Sequence, residues 1–175
     1  MLFYWFDILH AMKLLDIMGN KDEAIAYVER PTVKVIIQKG DEILILNDGL
    51  LPGGGVDEGE TNVQAIAREL LEELGATVAN IQELGQVTQY RNFLAKEYKI
   101  YGYTAQFKAF TTPPSPQDAG EAAFVHKWMS KTNALKYISE TIEKLQHTNP
   151  EMKNDTLQGA LYNRMTTQSL LHALK

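Results

Sequence analysis

Apolar side chains recur at helical spacing over the first nineteen residues. The predicted stripe consists of Leu2, Trp5, Leu9 and Met12, and Gly19 stands where such a helix would end. Charged and polar side chains interrupt the run, so it is shorter than the about 18 apolar residues that a membrane span needs, and no basic region marks a signal peptide. We therefore expect an amphipathic helix that packs on the body of the protein.

A second, shorter helix is predicted directly after this one. Asn20 and Glu23 resemble a capping pair, and Pro31 would stop the helix after Tyr27. We expect residues 1–30 to form an N-terminal helical segment packed on a main domain of residues 31–175. A homodimer contact or a lid over a substrate is the alternative role for this segment.

The pattern changes to β-branched and aliphatic runs from Thr32 onward. Two such runs flank the turn Lys39-Gly40-Asp41, which predicts a hairpin. The predicted strands span residues 32–38, 42–47, 82–90, 98–107 and 122–129, and amphipathic helices are expected near 132–146 and 155–174. Pro113, Pro114 and Pro116 indicate an exposed loop before the last strand. Together these elements predict a mixed α/β fold.

Residues 48–60 form a glycine-rich loop that leads into a further helix. This stretch holds five of the chain's 12 glycines, too many for regular structure. Thr61 and Gln64 form a capping box, and Gly75 is placed to terminate the helix. The apolar positions that predict its buried face are Val63, Ile66, Leu70 and Leu74. We expect loop and helix to act as one unit.

Composition narrows the function of this 175-residue chain. Its 22 acidic and 17 basic residues give a net charge of -5, which argues against stable nucleic-acid binding and against docking on anionic membranes. An anionic ligand would need a cation as mediator. The chain has no cysteine, so thiol nucleophiles, Cys-based zinc sites and iron–sulfur clusters are excluded, and a reducing, cytoplasmic location is expected.

Three glutamates share one face of the helix that follows the glycine loop. Glu69, Glu72 and Glu73 stand at positions i, i+3 and i+4, on a face turned away from the apolar stripe. Ligands that are all oxygen favour Mg²⁺ or Mn²⁺, and the backbone of Gly53 and Gly54 offers nearby N–H and carbonyl groups to a phosphate or the metal. The alternative is a solvated helix face without a ligand.

Arg68 precedes these glutamates in the sequence. Its planar guanidinium could bind Glu60 through two hydrogen bonds, or Glu72 one helical turn on, and so hold the loop against the helix. A catalytic contact with the substrate is the other interpretation.

The same residues carry a resemblance to a known family. Gly54, five residues, Glu60, seven residues and then Arg68-Glu69-Leu70-Leu71-Glu72-Glu73-Leu74-Gly75 resemble the Nudix box of the MutT-type Nudix hydrolases. Pro52-Gly53-Gly54 also matches, whereas Ala76 stands where the family has a bulky aliphatic residue. This departure affects packing at the end of the helix and leaves the glutamates in place.

The resemblance implies an α/β/α sandwich around a mixed β-sheet. It also implies a Mg²⁺- or Mn²⁺-dependent pyrophosphohydrolase acting on a nucleoside diphosphate linked to another group, such as a nucleoside triphosphate, a nucleotide sugar or a dinucleotide. Carried over by position, Glu69 and Glu73 are the principal metal ligands, and Glu72 shares ligation or accepts a proton from water. A nucleotide sensor of the same fold without turnover is the alternative.

Three further residues are candidates for the site. Glu121 precedes the last predicted strand, in a loop that resembles those from which Nudix enzymes recruit a catalytic carboxylate; Glu97 and Asp118 compete for this role. Tyr90 could stack on a nucleobase or pack across strands, and Arg91 could bind a phosphate or lie on the surface.

Overall fold

In a computed structural model of the chain, residues 12–115, 125–148 and 154–175 are described, and they form one six-stranded mixed sheet. The strands are β1 (Leu14–Met18), β2 (Val28–Lys39), β3 (Glu42–Leu46), β4 (Ala76–Arg91), β5 (Lys96–Phe110) and β6 (His126–Ser130). Their spatial order is β1-β4-β5-β2-β3-β6. The β1–β4 and β2–β5 pairs are parallel, and the other neighbours are antiparallel.

Helices cover both faces of this sheet. They are α1 (Asn62–Leu74), α2 (Lys131–Thr148) and α3 (Asp155–Ala173). Alternate residues of β2 point to opposite faces: Val35 belongs to the core that contains Leu70 of α1, and Ile36 to the core that contains Ile138 of α2 and Leu170 of α3. The predicted α/β/α sandwich is therefore confirmed.

The boundaries of α1 follow the local sequence signals. Thr61 accepts a hydrogen bond from the Gln64 backbone while the Gln64 side chain bonds back to Thr61, which completes the predicted capping box. Gly75 ends the helix in the left-handed conformation, with φ +63°. The predicted buried stripe is wrong at Val63, which is 52% exposed, because α1 turns an acidic edge inward instead.

The helical prediction for the N-terminal segment is wrong where the structure describes it. Leu14–Met18 is a strand, residues 22–25 form a turn, and no helix lies within residues 12–30. A parallel partner on β4 decides this conformation, and five residues with apolar spacing suit a strand as well as a helix. Residues 1–11 lie outside the described residues, and the division of the chain at residue 30 stays a prediction.

The strands β2, β4 and β5 extend beyond their predicted ranges at both ends, whereas β3 ends one residue before its predicted range does. The hairpin turns at Gly40, and β4 begins at Ala76, directly after the helix cap. The first part of the strand predicted for 122–129 lies outside the described residues, and β6 supplies its second half. No helix in the described ranges is long and apolar enough to cross a membrane.

Candidate active site

The glycine loop runs along β2 and is joined to it by backbone hydrogen bonds and by an isolated bridge between Thr32 and Gly55, without forming a regular strand. The N–H of Val33 donates to the carbonyl of Gly54 at 2.9 Å, and that of Val35 donates to the carbonyl of Pro52 at 3.0 Å. Gly53 has φ +118°, and a Cβ there would overlap the Val33 carbonyl. The loop backbone can approach β2 this closely because Gly53 has no side chain.

Two of the three predicted carboxylates are buried against this loop. Glu69 and Glu73 are each 6% exposed. Glu73 accepts a hydrogen bond of 2.8 Å from the Gly53 N–H, and a Cβ on Gly54 would overlap the Glu69 carboxylate. The three glutamates do lie along one side of α1, since all of them line the same cleft. That side is not fully exposed, because the loop packs over Glu69 and Glu73.

Arg68 links the loop to the acidic edge of α1, which consists of Glu69, Glu72 and Glu73. Its Nε and Nη2 donate to the two carboxylate oxygens of Glu60, each at 3.0 Å, and Nη2 also donates to the Gly55 carbonyl at 2.8 Å. Nη1 donates to Glu69 at 2.8 Å and to Glu72 at 3.3 Å. The expected contacts with Glu60 and Glu72 are confirmed. These hydrogen bonds lower the pKa of Glu60 and raise the pKa of Arg68.

Lys34 is a site residue that the sequence reasoning missed. It lies on β2, and its Nζ donates to the carbonyls of Leu51, at 3.0 Å, and of Gly53. Burial raises the pKa of Glu69, and the positive charges of Arg68 and Lys34 oppose that effect. The available signal was a lysine in the middle of the apolar run from Val33 to Ile37, where an isolated charge needs a partner.

An open cleft of about 660 Å³ connects these groups. Its described lining includes four carboxylates and three cationic side chains, so the lining has a net negative charge. The charged lining residues are Asp57, Glu69, Glu72, Glu73, Arg30, Lys34 and Arg68. Helix α3 forms an uncharged wall of the cleft, which the sequence did not reveal. This α3 wall consists of Asn163, Thr166 and Thr167.

Two predicted substrate residues do not line the cleft. Tyr90 packs edge-on against Tyr27, with ring centroids 5.4 Å apart; Tyr27 precedes β2, so this is aromatic packing but not packing across strands. Arg91 is 8% exposed, so the alternative that it lies on the surface is wrong. Arg91 donates a hydrogen bond to Asn163, a residue of the cleft wall, without lining the cleft itself. Glu121 and Asp118 lie outside the described residues, and Glu97 is not part of the cleft lining.

The donor chemistry at the acidic edge fits a hard divalent cation. Within the described ranges, no three His, Cys, Asp or Glu side chains converge as a ready metal cluster, since Arg68 holds Glu69 and Glu72 while Glu73 turns to Gly53. Even so, Glu69 and Glu73 are buried carboxylates beside a side-chain-free backbone at Gly54, and every donor is oxygen.

Comparisons with known proteins identify a family and relatives for the chain. The profile described as NUDIX domain matches residues 20–148. An RNA pyrophosphohydrolase from Helicobacter pylori (strain G27) is 35% identical over 94 residues, 44% of this chain and 57% of that protein. NAD-capped RNA hydrolase NudC from Pseudomonas aeruginosa (strain LESB58) is 27% identical over 107 residues, 57% of this chain and 36% of that protein.

The chain thus matches little more than half the length of the first relative and about a third of the second. Among solved structures, the MutT protein from Bacillus halodurans has a TM-score of 0.50 at 23% identity, covering 62% of this chain and 72% of that one. This likeness shows the fold.

Proposed function

The chain belongs to the NUDIX domain family, and from this premise we propose that it is a metal-dependent pyrophosphohydrolase. Its substrate would be a nucleoside diphosphate linked to another group: a nucleoside triphosphate, a nucleotide sugar or a dinucleotide. One observation supports the proposal most: two buried carboxylates, Glu69 and Glu73, line an open cleft that cationic side chains of β2 also line.

In this proposal the acidic edge of α1 binds a divalent cation, Mg²⁺ or Mn²⁺. Glu69 and Glu73 would hold the ion, with Glu72 and the Gly53 carbonyl as further oxygen donors. When bound, the cation supplies charge that neutralises phosphate oxygens and lowers the pKa of water. The Gly53 carbonyl accepts a hydrogen bond from Lys34, and its second lone pair would be the one available to the metal.

The chain's own cations would orient the diphosphate. Arg30 and Lys34 lie four residues apart on β2, on the side of the strand that faces the cleft. A strand rises about 3.3 Å per residue, so their backbones are roughly 13 Å apart, and their long side chains would have to converge to contact neighbouring phosphates. Arg68 positions Glu60, Glu69 and Glu72 and needs no contact with the substrate for this role.

We assign the general base to Glu72 on the present geometry. Its side chain is more exposed than that of Glu69, and one oxygen is bonded to Arg68 at 3.3 Å, which leaves the other able to accept a proton from water. Glu121 remains a second proposal for this role, from the sequence alone.

The names of the two curated relatives support hydrolysis of a phosphoric anhydride, and both names include RNA, which in one case is NAD-capped RNA. For this chain we propose a nucleotide-type small molecule, because its net charge of -5 disfavours broad electrostatic docking on RNA. We also propose a cytoplasmic location.

A substrate panel tests the activity. Nucleoside triphosphates, ADP-ribose, NADH, nucleotide sugars and diadenosine polyphosphates should be incubated with Mg²⁺, with Mn²⁺, with Zn²⁺ and with EDTA. We expect hydrolysis of at least one class with Mg²⁺ or Mn²⁺, none in EDTA, and no effective replacement by Zn²⁺. Tight nucleotide binding without turnover would instead identify a sensor, and full activity after exhaustive chelation would exclude the metal.

A further inference from the structure

A chain of hydrogen bonds connects Arg91 on β4 to the α3 wall of the cleft. Arg91 donates from Nε to Gln89 at 3.0 Å and from Nη2 to Asn163 Oδ1 at 2.8 Å. Gln89 in turn donates from Nε2 to Thr166 Oγ1 at 2.7 Å. Asn163 and Thr166 both line the cleft.

Arg91 determines which atoms of Gln89 and Asn163 act as acceptors in these hydrogen bonds. A guanidinium has only donors, so the amide oxygens of Gln89 and Asn163 must face it and their NH₂ groups must point away. Within the described part of the chain, no acceptor is bonded to Asn163 Nδ2. Asn163 therefore has a hydrogen-bond donor to offer at the cleft wall.

Arg91 itself has little freedom to release Asn163. It is buried, its guanidinium lies 4.3 Å from the ring centre of Tyr98, and a Cβ on Gly159 would come within 2.5 Å of its Nη1. A rotated Asn163 amide would set NH₂ against the guanidinium, donor against donor, at a buried position. The orientation of Asn163 is thus set by a residue outside the cleft.

We propose that Asn163 determines substrate specificity by donating a hydrogen bond to a carbonyl group on the nucleobase, and that Arg91 is the positioning residue that holds Asn163 in this orientation. The inference rests on the proposed function: with the diphosphate at the acidic edge, the rest of a nucleotide lies along the remaining walls. A cleft of about 660 Å³ accommodates a ligand of that size.

The expected consequence is discrimination between carbonyl and amino groups. A base amino group facing the Asn163 NH₂ would leave two donors unpaired, and sites built around a hydrogen bond reject such analogues strongly. ITP and ATP differ in this way among purines, and UTP and CTP among pyrimidines. Within the ring class that the chain hydrolyses faster, we expect kcat/KM to favour the carbonyl nucleotide at least about tenfold.

The decisive variant is Asn163→Asp. Its carboxylate keeps the bond to Arg91 but presents an oxygen acceptor to the cleft, so the carbonyl-to-amino ratio should fall to about one or reverse. Comparing ratios cancels the repulsion that the new charge exerts on all phosphates alike. Gln168→Glu is the matched control: it is the same type of change on α3, at a residue bonded to Ser139 and outside the cleft, and it should retain the wild-type ratio.

A second variant tests the positioning role. Arg91→Met removes the donor that orients Asn163, so the ratio should collapse toward one; a merely structural role would lower kcat/KM for all four nucleotides equally and leave the ratio unchanged. Arg91→Met removes a buried hydrogen-bond network. If Arg91→Met fails to fold, Asn163→Asp remains as an independent test.

Binding provides a readout that needs no metal and no turnover. In EDTA, the wild type should bind the phosphate-free nucleoside inosine more tightly than adenosine, or uridine more tightly than cytidine, and Asn163→Asp should abolish that preference. Equal use of both members of both pairs, or a preference for the amino bases, overturns the inference while the hydrolase assignment stands. Absence of hydrolysis across the whole panel refutes the proposed function instead, and the binding preference then still decides the role of Asn163.

Discussion

Arg68 donates two hydrogen bonds of 3.0 Å to Glu60, one to each carboxylate oxygen. Glu60 ends the glycine loop and Arg68 lies in the second turn of α1, so this pair joins the two parts of the site across eight residues. Planar, paired hydrogen bonds of this kind fix orientation as well as distance.

Replacement of Arg68 by lysine should therefore loosen the site. A lysine retains one positive charge but cannot form the paired bonds to Glu60 while also bonding Glu69 and the Gly55 carbonyl. We expect Arg68→Lys to lower kcat about tenfold and Tm by several degrees, measured by steady-state kinetics and thermal unfolding. An unchanged kcat would show that Glu69 and Glu72 need no support from Arg68.

The stability of the metal-free protein should depend on the charge of Glu69. Burial raises the pKa of Glu69 above its ordinary value of 4.5, so the folded chain holds the proton more tightly than the unfolded chain. The free energy of unfolding contributed by this group therefore falls as pH rises from 4.5 through the higher folded pKa.

Glu69→Gln removes this titration. In EDTA, the variant should unfold at a higher temperature than the wild type at pH 7.5, by about 2 °C or more, and the difference should shrink toward pH 4.5. Glu60, whose pKa is lowered, titrates in both proteins and cancels from the comparison. A lower Tm for the variant at pH 7.5 would mean that the ion pair with Arg68 outweighs the cost of burial.

Glu73 should be needed for turnover and dispensable for folding. Glutamine keeps an oxygen that can accept the hydrogen bond from the Gly53 N–H, but it loses the negative charge proposed to hold the metal. We expect Glu73→Gln to reduce kcat by at least about 10²-fold and to leave the metal-free Tm equal or higher. Glu143→Gln, at an exposed position on α2, is the control that should behave as wild type.

A methyl group at position 54 should damage the site sterically. The Cβ of Gly54→Ala would overlap the Glu69 carboxylate, so the carboxylate or the loop must move. We expect at least a tenfold loss of kcat/KM with the secondary structure retained, as judged by circular dichroism. Gly59→Ala, in the same loop with no atom within 4 Å of its added Cβ, should cost only the strain of its φ of +79°; equal losses in both variants would refute the steric explanation.

The sequence predicted those features that local signals specify. Thr61, Gln64 and Gly75 define α1 through backbone hydrogen bonds within a few residues, and the turn at Gly40 defines the first hairpin. The contacts of Arg68 with Glu60 and Glu72 also followed from spacing along one helix and its loop.

The features it missed depend on distant partners. Leu14–Met18 becomes a strand because β4 offers it an edge some seventy residues later, which no local pattern records. Lys34 and Asn163 reach the cleft only because β2 and α3 are assembled around it, and the position of Glu69 depends on a loop that folds over α1. The charge pattern predicted an open acidic face because it does not record that this loop covers α1.

The parallel pairing of β1 with β4 also bears on how the chain folds. Leu14 aligns with Gln86, whereas β4 and β5 pair across the short connection that begins at Asn92. Closing the long loop between β1 and β4 costs more chain entropy than closing the β4–β5 connection, and it brings fewer contacts. The β4–β5 hairpin should therefore form first, and β1 should add to it late. As a short strand at the sheet margin, β1 would then also be the first to detach in native-state hydrogen exchange, ahead of the strands that build the cleft.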